Sequence, residues 1–206
     1  MKRIMFKKMF AIGLVAALWV AVYAAAPMSV DSAHSNVSFS LPILGGMSKV
    51  TGKFGQFTAD INFDEKDITK SSVVAKIKTD SISTGIGARD NHLKTADFFD
   101  AEKYPEITFT SKKVEKKGGK YILTGDFSMH GVTKEISFPF TIHGNCADKK
   151  AAKVEPPCGF KATLQLNRKD YGIAYERKDN ADFMGDVVDV DLDILTRTPP
   201  PPRPAQ

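Results

Sequence analysis

The sequence has few of the residues from which metal centres and redox sites are built. Only two of its 206 residues are cysteines and four are histidines, and neither a Cys-x-x-Cys nor a His-x-x-x-His spacing occurs. A zinc or haem site is therefore not expected, because no closed set of ligands is present. No nucleophile elbow occurs either, so we predict no catalytic residues and no cofactor.

Tryptophan is also nearly absent. The single one, Trp19, lies in an N-terminal segment with the features of a secretory signal peptide. Four basic residues precede an apolar stretch over residues 9–22, which is short for a helix that spans a bilayer. We predict a signal peptide over residues 1–24, cleaved after Ala24, and export to the periplasm. No cysteine follows the apolar stretch, so no lipoprotein anchor is expected; an uncleaved membrane anchor is the alternative.

Excess charge is absent from the remainder of the chain. Four cations lie in the predicted signal peptide, so the formal net charge of +5 falls to +1 without it. The basic character is therefore a targeting feature and does not indicate a nucleic-acid partner. The length that remains suits one domain with a sizeable core, which we place at residues 28–196.

The two cysteines, Cys146 and Cys158, are expected to form one disulfide, since an isolated pair this close in an exported protein is most simply a structural cross-link. The chain-entropy relation gives such a short loop about 3 kcal/mol of stabilisation. A redox or metal role is the alternative.

Alternating apolar and polar residues predict β-strands with one buried face. The last strand shows this most clearly, since Val188, Val190, Leu192 and Ile194 alternate with aspartates. A change of parity at Gly55 predicts a β-bulge, and a fourth strand is predicted through Ile107, Phe109 and Ser111. Eight such strands with local connections indicate an up-and-down barrel or a sandwich, and we predict an eight-stranded antiparallel β-barrel.

Two segments depart from this alternation. The segment from Ser83 to Pro105 is compatible with one or two short helices between the third and fourth strands, and an insertion of this kind is a natural lid or mouth. Residues 197–206 are rich in proline and are predicted to be an extended, disordered tail. A recognition role for the tail is the alternative.

The predicted inward positions combine large rings with small residues such as Gly52, Gly125 and Ala162. An eight-stranded barrel is near the size at which the interior is either filled by side chains or open to one ligand, and the pattern leaves both readings open. In the open case the interior suits a long apolar molecule. Its predicted wall consists of Phe39, Phe109, Phe127, Phe138, Phe140 and Phe160.

A lipid head group needs polar partners at the barrel mouth. Arg89, Asp90 and His92 lie in the insertion, where Arg89 suits phosphate or carboxylate oxygens, Asp90 suits the positioning of Arg89, and His92 either donates or accepts. The alternative is a structural Arg89–Asp90 pair, with His92 as a helix cap.

Short motifs along nearly the whole chain resemble the YceI-like family, also called the polyisoprenoid-binding or lipid-binding YceI-like domain. The motifs are Asp31-Ser32-Ala33-His34-Ser35, Gly52-Lys53-Phe54, Ser81-Ile82-Ser83-Thr84-Gly85, Arg89-Asp90, His92-Leu93, Asp97-Phe98-Phe99-Asp100, Tyr104-Pro105, Ile107-Thr108-Phe109, Gly125-Asp126-Phe127, His130-Gly131-Val132-Thr133 and Asn167-Arg168-Lys169-Asp170-Tyr171-Gly172. Leu41 and Pro42 stand where many members carry a basic or histidine residue.

The resemblance implies a lipocalin-like, eight-stranded antiparallel β-barrel that is periplasmic, is often homodimeric and binds an isoprenoid or acyl lipid. By position it implies Arg89, Asp90 and His92 at the head-group end, with Phe98, Phe99, Phe39 and Phe109 along the tunnel. Two other functional classes remain as alternatives. One is a hydrolytic or metal-dependent enzyme, for which Ser32 or Ser35 beside His34 is a weak candidate pair. The other is a stress or adhesion module that binds protein through the lid.

Overall fold

The computed structural model describes residues 28–144, 146 and 158–197. The predicted signal peptide and the proline tail beyond Arg197 lie outside these residues. The strands are β1 Met28–Val30, β2 Asn36–Ile43, β3 Ser48–Phe54, β4 Phe57–Asn62, β5 Ser72–Lys78, β6 Ile82–Ser83, β7 Glu106–Lys117, β8 Lys120–Met129, β9 Val132–Gly144, β10 Cys158–Asn167 and β11 Val187–Arg197, and the helix is α1 Gly87–Leu93.

The strands close into an antiparallel barrel. The order β1-β4-β5-β7-β8-β9-β10-β11 returns to β1 through pairs such as Ser29 with Arg197. Strands β2, β3 and β6 continue β1, β4 and β5 beyond short interruptions, and they pair in the same order. The wall therefore has eight strands, three of them broken, and the predicted eight-stranded barrel is confirmed.

The breaks in the wall have local causes. Between β3 and β4 the chain leaves the sheet at Gly55, whose N–H donates to the carbonyl of Ser81 at 3.0 Å. The parity of inward residues changes across this break, so that Phe54 and Phe57 both border the interior. In β7 the register shifts between Ser111 and Lys113.

The register shift in β7 changes which side chains face the interior beyond Ser111. Ser111 accepts the N–H of Val73 at 2.8 Å, and the buried inward residue is Val114, which is 5% exposed. An extra residue in one strand reverses the direction of every side chain after it, and alternation alone could not place that extra residue.

The two barrel ends are built differently. The helix end carries α1 with its flanking insertion between β6 and β7, the β2–β3 turn and the long loop between β10 and β11. The disulfide end carries the β4–β5 loop, the β7–β8 turn and the Cys146–Cys158 disulfide. The predicted disulfide is confirmed, with Cα atoms 4.9 Å apart. Disulfides persist in oxidising compartments. Across the residues that the structure describes, no helix has the length and apolar character needed to cross a membrane.

Candidate functional site: an apolar cavity in the barrel

The barrel encloses a cavity of about 950 Å³. Its lining includes Ile68 and Phe63 towards the disulfide end and Arg89 and Phe183 at the helix end, so it follows the length of the barrel. This volume is at the upper end of the range of about 300–1,000 Å³ that is usual for small-molecule sites.

Aromatic rings form much of the cavity wall. Although Phe39, Phe127, Phe140 and Phe160 point inward from their strands, each is only half-buried, because one face of each ring is open to the cavity. The interior is therefore not filled by its own side chains. All of the phenylalanines predicted for the wall border the cavity, namely Phe39, Phe98, Phe99, Phe109, Phe127, Phe138, Phe140 and Phe160.

Two glycines allow the rings to lie along the wall. A Cβ at Gly52 would overlap the ring of Phe39, with Cε1 only 2.8 Å away. A Cβ at Gly125 would lie 2.6 Å from Cζ of Phe109. Because each ring occupies the space where a neighbouring side chain would stand, it covers the strand and does not project across the barrel.

At the helix end, Thr84 joins Arg89 to Asp90. The Thr84 hydroxyl donates to Oδ1 of Asp90 at 2.5 Å and accepts the N–H of Arg89 Nε at 2.7 Å. The backbone N–H of Thr84 also donates to Oδ1 of Asp90, and Nη2 of Arg89 donates to the Thr84 carbonyl. Among the described residues these bonds engage two of the five guanidinium N–H groups of Arg89, which borders the cavity.

Asp90 itself does not border the cavity. The hydrogen bond from the Thr84 hydroxyl is the largest cause that holds the pKa of the Asp90 carboxyl below the ordinary value of 3.8. Burial opposes it, and the hydrogen bond from the Thr84 backbone N–H lowers the pKa further. The nearby charge of Arg89 acts in the same direction. Asp90 is therefore ionised at neutral pH and orients Arg89 through Thr84.

His92 belongs to an aromatic cluster at the rim. Its ring packs edge-on against Phe98 and Tyr175, with centroids 5.0 and 5.2 Å away, and its Nε2 lies 2.8 Å from Oδ2 of Asp97. Phe98 is buried beneath this cluster, and Phe99 packs against Phe54. The insertion after β6 thus places both phenylalanines at the cavity mouth.

The loop between β10 and β11 forms the opposite side of the mouth and depends on a buried arginine. Arg168 is 4% exposed, and its guanidinium donates to the carbonyls of Ile173, Tyr175 and Gly185 at 2.9–3.0 Å. It also pairs with Asp186 at 2.9 Å. Because four acceptors from the loop converge on one side chain, Arg168 determines the shape of this loop.

Arg89 and His92, which were predicted for the mouth from the sequence, both border the cavity, whereas Tyr175 and the structural role of Arg168 were not predicted. Tyr175 lies in a loop with no alternation, and the carbonyl partners of Arg168 carry no sequence signal. The only available sign was the run that includes Arg168 among the family motifs.

The histidines lie in separate surroundings. His34 pairs with Asp31, His130 lies 3.0 Å from the Tyr171 carbonyl, and His143 lies beside Thr141. Within residues 28–144, 146 and 158–197, no three His, Cys, Asp or Glu side chains are grouped so as to hold a metal ion.

Comparison with known proteins gives consistent matches. Residues 28–195 match the YceI-like domain family. A UPF0312 protein of Vibrio campbellii is 42% identical over 171 residues, which cover 81% of this chain and 88% of the relative.

Two solved structures have the same fold. Burkholderia cenocepacia BcnA has a TM-score of 0.70 at 24% identity, covering 81% of this chain and 98% of its own. A polyisoprenoid-binding domain from Saccharophagus degradans, implicated in plant cell wall breakdown, has a TM-score of 0.63 at 15% identity, covering 84% of this chain and 99% of its own. With a domain match over nearly all of the described residues and a relative of this identity, the chain belongs to the YceI-like family.

Proposed function

We propose that this protein is a periplasmic lipid-binding protein that holds the tail of one isoprenoid or acyl lipid inside the barrel. The observation that carries the proposal is the 950 Å³ cavity, whose wall is almost entirely apolar between its two ends. The structural neighbour from Saccharophagus degradans is described as a polyisoprenoid-binding domain, which supports the same class of ligand.

The energetics favour a long apolar tail. Burial of ten methylenes contributes roughly 8 kcal/mol at about 0.8 per group, which corresponds to an affinity on the order of micromolar before the ligand's ordering cost is subtracted. A small polar ligand would gain no comparable free energy, because its polar groups would give up hydrogen bonds to water for contacts with an apolar wall.

The mouth suits an anionic head group. Most charged side chains that border the cavity lie at the helix end, where Arg89 faces it with N–H groups that no residue in the described part of the chain accepts. A guanidinium held by Thr84 presents those groups in a fixed orientation to phosphate or carboxylate oxygens. Leu41 and Ile43 border the same end, so the apolar wall of the cavity continues to the mouth.

The proposal is tested on protein purified natively from the periplasm. We expect organic-solvent extraction and mass spectrometry to yield an isoprenoid or acyl lipid in stoichiometric amount. Ala162→Trp places a large ring in the lumen and should abolish the bound lipid, whereas Thr163→Trp on the outer face of the same strand should retain it. A wild-type barrel that is empty of lipid and retains a metal would contradict the proposal and favour the enzyme alternative.

A further inference from the structure

Two aromatic rings meet across the barrel near its disulfide end. Phe63, directly after β4, and Phe160, on β10, both border the cavity, and their ring centroids lie 5.8 Å apart. Along the wall β4 and β10 are separated by β1 and β11. Since neighbouring strands lie about 4.8 Å apart, the path along the wall is roughly 14 Å, and the contact between the rings must cross the lumen.

Further apolar side chains lie beside this ring pair, and together they form the floor of the cavity at the disulfide end. The ring of Phe140 lies 6.5 Å from that of Phe160, and Ile68 borders the cavity from the β4–β5 loop. The loop is held by its own hydrogen bonds: Ser71 Oγ accepts the N–H of Asp64 at 3.0 Å, and the Asp67 carboxylate caps the turn over Ile68–Lys70. The floor therefore rests on an ordered loop.

The other half of the floor is covalently anchored. Cys158, two residues before Phe160, is 2% exposed and is cross-linked to Cys146. The Thr196 hydroxyl donates to the Cys158 carbonyl at 2.9 Å, which fixes the same residue to β11. Phe160 thus projects from a backbone that has little freedom to withdraw.

We propose that the Phe63–Phe160 ring pair determines the length of the lipid tail that the barrel accepts, by stopping its terminal methyl group. This inference rests on the lipid-binding function proposed above. A tail that reaches the rings gains nothing from a further methylene unless the rings move, whereas each methylene that finds apolar space raises the affinity about fourfold. The affinity should therefore peak at one tail length, set by these two side chains.

The experiment measures the affinity of delipidated, refolded full-length mature protein for saturated fatty acids from lauric to lignoceric acid by calorimetry. We expect Phe160→Ala to move the optimum to tails longer by about two carbons or more and Phe160→Trp to move it to shorter tails. Val74→Ala, on the outer face of β5, is the control and should keep the wild-type optimum, since Val74 is 43% exposed.

A second readout follows from the absence of tryptophan in residues 28–197. In Phe160→Trp the introduced indole is the only one in this range, and a fatty acid brominated at its terminal carbon should quench it more strongly than one brominated beside the carboxylate. Equal quenching by the two would overturn the proposed direction of the tail.

The outcomes separate the two proposals. If the wild type binds fatty acids and all folded variants share one optimum, the ring pair does not determine length. If the wild type binds none of the series and carries no native lipid, the lipid-binding function fails and the length limit fails with it. Phe63→Ala and Phe160→Leu replace Phe160→Ala if that variant does not fold, and both should still favour longer tails.

Discussion

The ring of Phe39 lies directly over Gly52, on the neighbouring strand, and fills the space where a Cβ atom would stand. Thr84 Cγ2 would also be only 2.9 Å from that atom. The bare backbone at Gly52 therefore accommodates both a ring of the cavity wall and the residue that holds Arg89.

Gly52→Ala should reduce lipid binding with a modest loss of stability. The new methyl group meets only side chains, so Phe39 has to rotate into the lumen. The matched variant Gly125→Ala should be far more destabilising, because its methyl group also overlaps the carbonyl oxygen of Thr110, which is fixed in the sheet. Lipid stoichiometry and thermal unfolding of the two variants check this. Normal lipid content in folded Gly52→Ala would contradict it.

Arg89→Ala should weaken binding of a lipid with a phosphate or carboxylate head by about tenfold, since a hydrogen bond to a charged group contributes about 1.5–3 kcal/mol before solvent screening. Binding of the corresponding alcohol should change little. Lys49→Ala, which removes an exposed cation that does not border the cavity, is the control. Equal losses for charged and neutral heads would remove Arg89 from the proposed head-group role.

Asp90→Asn should make folding less sensitive to acid. The pKa of Asp90 is lowered by its hydrogen bonds to Thr84. A carboxyl of this kind stabilises the fold above its ordinary pKa, and the stabilisation is lost as the pH falls through the lowered value. Between about pH 5 and pH 2 the wild type should therefore lose more thermal stability than Asp90→Asn. Parallel unfolding temperatures across this range would show that the contribution of Asp90 is negligible.

Arg168→Met should lower the free energy of unfolding by about 3 kcal/mol, because it leaves several buried carbonyl acceptors without a donor. Arg168→Lys should recover little, since an ammonium group cannot reach acceptors spread around a planar guanidinium. Lys169→Met also removes a cation beside Asp186, but at the surface, and should change stability by less than about 1 kcal/mol. Urea unfolding of the three variants tests the comparison.

Replacing both Cys146 and Cys158 by serine should lower the free energy of unfolding by about 3 kcal/mol, because the unfolded chain regains the freedom of a loop with a sequence separation of 12. Wild-type protein unfolded in the presence of a reductant should show the same loss. If the reduced and oxidised proteins unfold at the same urea concentration, the cross-link does not stabilise the barrel.

The strands that could be predicted from the sequence are those with a sustained two-residue period. In β11 the aspartates alternate with Val188, Val190, Leu192 and Ile194, all of which border the cavity. Strand β1 gave no such signal, since Met28–Val30 is three residues long, although it closes the barrel between β4 and β11. The pairing of a short strand is decided by partners distant in sequence, and local periodicity carries no information about them.

The features of the site also divide into those that could be predicted from the sequence and those that could not. The inward phenylalanines follow from strand parity, and Arg89 follows from its place in the single insertion. That the cavity is open depends on how Phe39 lies on Gly52 and Phe109 on Gly125, which are contacts between strands. The role of Asp90 depends on Thr84, because one hydroxyl faces both charged side chains. Neither relationship can be derived from residue spacing alone.

The contact between Phe63 and Phe160 across the lumen makes the two ends of the barrel different. If the ring pair closes this end of the barrel, a lipid has to enter with its tail first and leave with its head group first. Uptake and release would then both take place through the mouth at the helix end, beneath α1. The slow step of delivery would be the withdrawal of the whole tail past Phe98 and Tyr175.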